Sequence, residues 1–320
     1  MAQQIRAFFQ LIRWPNLVFI AITQLLFHFF VVVPSAQGEV YSFPLRLTTP
    51  LLYLLCFSSI LIAAAGYIIN DYFDINIDEI NKPDKMVLGK KFGRRWGVLL
   101  HSSISLLGLA IGIWVSYKLN NWAIAIGHFT CIVLLWVYST SLKRQLLVGN
   151  IVISMLTAWV LLVLLVAELP GWWSGHLVSE QEKATVARLS RIGVLYAAFA
   201  FILNLVREVV KDLEDMHGDR KEGCKTMPIM WGVNATKVFV GVWLVVLIAA
   251  LLISQIYVIL FGWWLSATYI LLTVVLPLIS LMFQLQKAAH TTQYGAISKK
   301  IKWIMLAGIC SMAFFMLYTK

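Results

Sequence analysis

Charge is scarce in this sequence. Aspartate, glutamate, lysine and arginine make up 13% of its 320 residues, whereas soluble proteins carry roughly a quarter. Hydrophobic residues make up 60%, and the mean hydropathy is +0.82. So few charges cannot cover so much apolar surface in water, which excludes a soluble globule and turns the surplus towards lipid. Cysteine is equally sparse. The four present, Cys56, Cys131, Cys224 and Cys310, have no paired spacing and three lie in apolar runs, which excludes a disulfide framework and a zinc site. Acids are the rarer charges, 15 against 26 lysines and arginines. In a soluble chain the net charge of +11 would raise nucleic acid as a partner; in a membrane chain orientation is tested first.

Crossing ~30 Å of hydrocarbon takes about 20 apolar residues per helix. Runs of that length predict nine membrane helices, near 14–34, 48–70, 96–117, 121–140, 148–168, 188–210, 234–255, 258–285 and 301–318. The chain thus reads as all-α, an integral membrane bundle forming a single domain over residues 1–320. The run from Leu17 to Val33 lacks a small-residue cleavage site and is read as a retained first helix. With the amino terminus inside, 20 of the 26 lysines and arginines fall on the cytoplasmic side; Arg46, Lys118, Lys183, Arg188, Arg191 and Lys320 fall outside. That is the positive-inside asymmetry, so most of the net charge is topological and no nucleic-acid partner is expected. Gly108 and Gly112 form a small-xxx-small pair read as close helix packing, and Pro277 is read as a kink. Three predicted loops are long: the outer one from Pro170 onward, and the inner ones after the second and sixth spans. The inner two carry the unusual chemistry.

The second span ends Asn70-Asp71-Tyr72-Phe73-Asp74-Ile75-Asn76-Ile77-Asp78. On a helix turning ~100° per residue, Asn70, Asp71, Asp74 and Asp78 project within about a 100° arc. The sixth span ends in the same way. Asp212, Asp215 and Asp219 repeat the three-then-four spacing and, with Glu208, fall within roughly a 60° arc, while Glu214 points elsewhere. The two motifs begin 141 residues apart, a hint of a duplicated helical unit. Carboxylates stacked on one face repel each other, and near lipid the repulsion is poorly screened. Two such faces on one membrane side therefore call for a cation. Hard oxygen ligands suit Mg²⁺, which completes its shell with water and substrate phosphate oxygens. A diphosphate is the matching third partner.

The pattern Asn70-Asp71-x-x-Asp74-x-x-x-Asp78 with Asn81-Lys82-Pro83, then Asp212-x-x-Asp215-x-x-x-Asp219 with Lys225-Thr226-Met227-Pro228, resembles the UbiA superfamily of intramembrane prenyltransferases. Arg13-Trp14-Pro15-Asn16-Leu17 is similar to that family's first-helix motif, and Tyr138-Ser139 with Leu142-Lys143-Arg144 to its segment after the fourth span. The resemblance covers nearly the whole chain. It implies a bundle around a central cavity that opens sideways to membrane lipid, with two Asp-rich motifs holding Mg²⁺ on a prenyl diphosphate. Within the superfamily, Arg207 through Arg220 is most similar to the digeranylgeranylglyceryl phosphate synthases. One departure is clear. After Asn81-Lys82-Pro83 this chain runs Asp84-Lys85-Met86-Val87-Leu88-Gly89, without the proline-stiffened run usual in the family.

That resemblance implies Mg²⁺-dependent transfer of a polyprenyl group, with geranylgeranyl as the leading donor chain. The leading lipophilic acceptor is geranylgeranylglyceryl phosphate, with an aromatic quinone precursor as the alternative. The site would lie on the cytoplasmic side of the cell membrane. Asn70, Asp71, Asp74 and Asp78 would hold one ion and Asp212, Asp215 and Asp219 the other, the six aspartates being the catalytic set. Lys143 and Lys225 are candidates to clamp the departing oxygens, whereas Arg144 and Lys211 read as topology-setting cations. Tyr72 and Tyr138 could face a developing allylic cation. Arg13 and Asn16 on the first helix would position substrate. His217 falls off the acidic arc, and His28, His101, His128, His176 and His290 show no metal spacing. The alternative of another class is a cation-binding transporter, which would place its ionisable groups near mid-bilayer.

Overall fold

The computed structural model describes residues 2–37, 44–81, 83–169 and 180–318. Lys82, His176, Lys320 and the loop from Pro170 therefore lie outside the described residues. A short helix α1 (Ala2–Leu11) precedes the first span. The spans are α2 (Trp14–Ala36), α3 (Thr49–Phe73), α5 (Arg94–Leu119), α6 (Ala123–Thr140), α7 (Val148–Glu168), α8 (Glu180–Lys221), α9 (Gly232–Leu260), α10 (Trp264–Lys287) and α11 (Thr291–Tyr318). Between α3 and α5 lies α4 (Ile75–Asn81). Nine spans are thus present among the described residues, as the apolar runs predict, in a multi-pass membrane bundle. Large apolar side chains such as Leu106, Val238, Ile253 and Leu260 point outward, where lipid solvates them.

Three boundaries differ from the hydropathy reading, each for a local reason. The expected break near Gln255 falls later, at Phe261–Trp263, where Gly262 adopts φ 78; Ser254 and Gln255 stay helical, the Ser254 hydroxyl finding its partner within the helix in the Leu251 carbonyl at 2.7 Å. The last span begins at Thr291 instead of 301, capped by His290 and Gln293. The sixth span extends to 42 residues, or about 63 Å at 1.5 Å per residue, twice the hydrocarbon thickness. Its far end, with Asp212, Asp215 and Asp219, therefore projects beyond the membrane core as continuous helix.

Up-and-down threading puts the start of α2, the end of α3, the α6–α7 turn, the end of α8 and the start of α11 at one end of the bundle. Wide turns at Phe27–Val32 and Leu271–Val275 sit just ahead of Pro34 and Pro277, whose missing N–H groups disrupt the ladder there. The glycine pair packs as expected. A Cβ on Gly108 would meet Ile62 at 3.0 Å and one on Gly112 would meet His128 at 3.0 Å, so α5 lies close on α3 and α6. Helix α1 buries Ala7 and Leu11 against Leu17, Ile68, Val87 and Leu88, closing the same end of the bundle.

Candidate active site

Both acidic motifs line one cavity of about 430 Å³. The first is not on a continuous helix as expected. α3 ends at Phe73, Asp74 takes φ −91 and ψ 2, and α4 restarts at Ile75. The turn is kept nearly helical by Asp74 N–H donating to the Asn70 carbonyl at 2.9 Å and Asp78 N–H to the Asp74 carbonyl at 2.8 Å. Asn70, Asp71, Asp74 and Asp78 consequently all reach the cavity, opposite Asp212, Asp215 and Asp219 on α8. Glu214, expected to point away, lines it too, lying beneath Gly295 of α11.

Protein cations already offset much of the acid. Arg13 donates to Asp71 at 2.7 Å, and Lys143 pairs with Asp74, which also accepts from Asn70 at 2.7 Å. Glu208 takes Arg207 at 2.5 Å and Lys211 at 2.9 Å. From the sequence a metal alone supplies this compensation and Lys211 reads as a topology-setting cation; in the fold Lys211 pairs with Glu208 and lines the cavity. Arg13 sits between α1 and α2 at φ 52, a left-handed conformation that costs a non-glycine residue roughly 1–2 kcal/mol; the ion pair with Asp71 stabilises it there. Burial opposes its charge most strongly of any single influence, but Asp71, Tyr67 and Asp74 together outweigh it and raise Arg13 above the ordinary arginine value. Cys224 also lines the cavity, its thiol pushed up to about 11 by burial and then by Asp219.

Among the described residues no three His, Cys, Asp or Glu side chains converge tightly enough to hold an ion alone. The donor set still fits a hard divalent cation, because carboxylate oxygens face each other across an open chamber and Mg²⁺ rarely uses an all-protein cage. Asp212 accepts from Asn150 at 2.9 Å, a partner the sequence reading missed. The two walls are also tied directly. Asn81 donates from Nδ2 to the Asp215 carbonyl at 3.1 Å and accepts the Gly218 N–H at 3.0 Å.

A second, more apolar chamber of about 240 Å³ adjoins the first, lined by side chains including Phe19, Ile62, Leu135, Leu156 and Trp159. Arg13, Asn70, Tyr138, Arg207, Glu208, Lys211 and Lys302 belong to both. Tyr138 thus stands on the boundary. Asn16 lines the apolar chamber, donating to Tyr67 at 3.1 Å and accepting from Lys302 at 2.9 Å. Two predicted residues are not brought in. Tyr72 turns to the outer surface of α5, with Arg94 5.8 Å over its ring. Lys225 is exposed, held by its backbone N–H on the Arg144 carbonyl at 2.7 Å. His217 is exposed. The loop that lacks the family's prolines still covers the cavity, through Met86, Val87 and Leu88, and turns back at Gly89 with φ 85.

The UbiA prenyltransferase family matches residues 29–306. The chain belongs to that family. A digeranylgeranylglyceryl phosphate synthase from Thermococcus sibiricus is 32% identical over 189 residues, 59% of this chain and 58% of the relative. This chain therefore spans under two thirds of that relative's length. A solved digeranylgeranylglyceryl phosphate synthase has a TM-score of 0.63 at 24% identity, covering 97% of this chain and 99% of its own. A UbiA homologue from Archaeoglobus fulgidus, solved with GPP and Mg²⁺, has a TM-score of 0.56 at 14% identity, covering 96% of this chain and 99% of its own. The two structural likenesses show a common fold.

Proposed function

We propose that this chain transfers a prenyl group from a prenyl diphosphate to a lipophilic acceptor, with geranylgeranylglyceryl phosphate as the leading acceptor and Mg²⁺ as cofactor. The observation that carries the reading is the shared cavity: both aspartate motifs face one polar chamber, and that chamber continues into an apolar one. An amphiphile with an anionic head and a hydrocarbon tail matches that division. A transporter reading gains nothing from it, since the aspartates gather at one end of the bundle and not at mid-bilayer.

Charge balance supports a divalent cofactor. Eight acidic and six basic side chains line the polar chamber. A diphosphate adding about three negative charges at neutral pH would enter an already acidic site, and Mg²⁺ entering with it meets the shortfall. When bound, the metal would supply Lewis-acid neutralisation of the leaving group. Asn70, Asp71, Asp74, Asp78, Asp212, Asp215 and Asp219 would hold it, directly or through water.

The chain's own side chains do the remaining work. Lys143, beside Asp74, would meet the departing oxygens. The apolar chamber excludes water from the tail and from the allylic carbon, and Tyr138 presents an aromatic ring where that carbon would lie. The bond from C1 to the diphosphate breaks, pyrophosphate leaves with the electron pair, and the acceptor hydroxyl oxygen bonds to C1 as its proton passes to the pyrophosphate. The positive-inside asymmetry supports a cytoplasmic position for this end of the bundle.

The test is product mass after membranes are given geranylgeranyl diphosphate and a panel of acceptors, with and without EDTA. Transfer that EDTA leaves intact, or no transfer to any acceptor, would sink the reading.

A further inference from the structure

Resting on the prenyl-transfer reading, we propose that the cavity contains a second anion site, built by Lys302 and Lys299, that holds the phosphate monoester of the acceptor apart from the donor's diphosphate. The sequence places Lys299 and Lys302 among the cytoplasmic cations that orient the bundle. In the fold they belong to a stripe. Gly295, Ser298, Lys299 and Lys302 follow helical spacing along α11, and all four line the polar chamber. α11 carries none of the six motif aspartates, so it supplies a basic wall to an otherwise acidic room.

The basic wall reaches the boundary between the chambers. All six motif aspartates line only the polar chamber, whereas Arg13, Arg207, Lys211 and Lys302 line both, with Glu208 as their one carboxylate companion. Three of these cations are committed, Arg13 to Asp71 and the other two to Glu208. Lys302 is not. Its ammonium donates to the neutral Asn16 amide oxygen at 2.9 Å, and among the described residues neither it nor Lys299 has a carboxylate ion pair. A basic excess where polar and apolar walls meet suits an anion joined to a lipid tail.

Two anions could claim that place, and the reaction separates them. The donor's diphosphate belongs with the aspartates and Lys143. Displacement at C1 needs the acceptor oxygen on the face away from the leaving group. On a glyceryl phosphate the phosphate sits one carbon from the reacting hydroxyl, so its anion falls at the chamber boundary, on the wall free of motif aspartates. α11 is that wall.

The test is steady-state kinetics of the full chain in detergent or proteoliposomes, with the two substrates varied separately. Lys302→Gln is expected to raise acceptor KM by roughly tenfold, the loss of one charge-assisted contact, with donor KM within about twofold. Lys302→Arg should restore most of it, and Lys299→Gln should act in the same direction. On the unaltered protein, removing the acceptor's phosphate should raise KM by a similar factor, and Lys302→Gln should discriminate less between the two acceptors. Thermal stabilisation of the purified protein by the glyceryl phosphate, lost with its dephosphorylated analogue, reads the site without turnover. A donor KM that rises as much as the acceptor KM, or an acceptor KM unmoved in both glutamine variants, overturns the proposal while leaving prenyl transfer standing. Stabilisation without any product would keep the site and remove the activity.

Discussion

The tie between the two motif walls gives a prediction whose sign is decided by one contact. Gly218 lies within α8, and helix propensity alone says that Gly218→Ala should stabilise by about 0.5–1 kcal/mol. The packing says the opposite. A Cβ at 218 would land on the Asn81 amide group, with its Cγ at 2.6 Å, and overpacking of this kind costs about 1–3 kcal/mol. It also disrupts the two hydrogen bonds of Asn81, each contributing about 0.5–1.5 kcal/mol. The weaker partner gives way: α4 has seven residues and buries only Ile77, whereas α8 runs for 42. The clash is therefore relieved by α4 moving outward, carrying Asp78 away from Asp215.

The expected outcome is catalytic more than structural. Gly218→Ala should lower kcat at least about tenfold, roughly 1.4 kcal/mol, and raise the Mg²⁺ concentration for half-maximal rate. The melting temperature should move little, because α4 sits at the end of the bundle. Asn81→Ala should show a milder form of the same phenotype. Combining the two frees space for the new methyl group, so the double variant should be more active than Gly218→Ala alone. The assay is prenyl transfer across a magnesium titration for all four proteins. A Gly218→Ala enzyme with rate and metal dependence within about twofold of the parent, or a double variant no better than that single, would refute the reasoning.

Asp74→Ala and Asp215→Ala, one from each wall, should each reduce transfer by about a hundredfold or more; near-parental rates in either would remove that wall from the site. Lys143→Met should raise donor KM several-fold, whereas Lys225→Met should leave it near the parental value, because Lys225 is exposed and held by its backbone; steady-state kinetics against donor separates the two lysines. Tyr138→Phe keeps an aromatic face at the boundary and should retain activity within about threefold, while Tyr138→Leu should lose about tenfold; equal losses in both would assign the residue's work to its hydroxyl instead.

The spans were legible because burial in lipid demands one thing, an unbroken apolar stretch of fixed length. What hydropathy hid were the places where helix continues without apolarity. α8 runs on past Val210 through Lys211 and the aspartates because charged side chains are no obstacle to a helix that has left the hydrocarbon, and pairs such as Glu208 with Lys211 support it. It yields only at Gly223, with φ 70. The acidic motifs were legible for a related reason: with 15 acids in the chain, six at matching spacing stand out. Their partners did not. Asn150 is one of a few polar residues in an apolar span, with Ser154 and Thr157 on the same helix, and nothing in its neighbourhood announces that it meets Asp212.

Lys299 and Lys302 show why a residue type alone cannot assign a role. A lysine near the inner end of a span satisfies the positive-inside rule wherever on the helix circumference it points. Orientation of the whole protein is indifferent to that angle, but a cavity is not. Lys302 turned inward meets Asn16 at 2.9 Å where the two chambers join; turned outward it would meet lipid head groups instead. The angle is set by the apolar residues of the same helix. Tyr294, Ile297, Ile301 and Ile304 bury into the core shared with α8, α9 and α10, and that fixes Ser298, Lys299 and Lys302 towards the chamber. The packing face of α11 therefore determines which of its cations can act chemically, and a substitution that rotated this helix by one residue would keep the topology and lose the site.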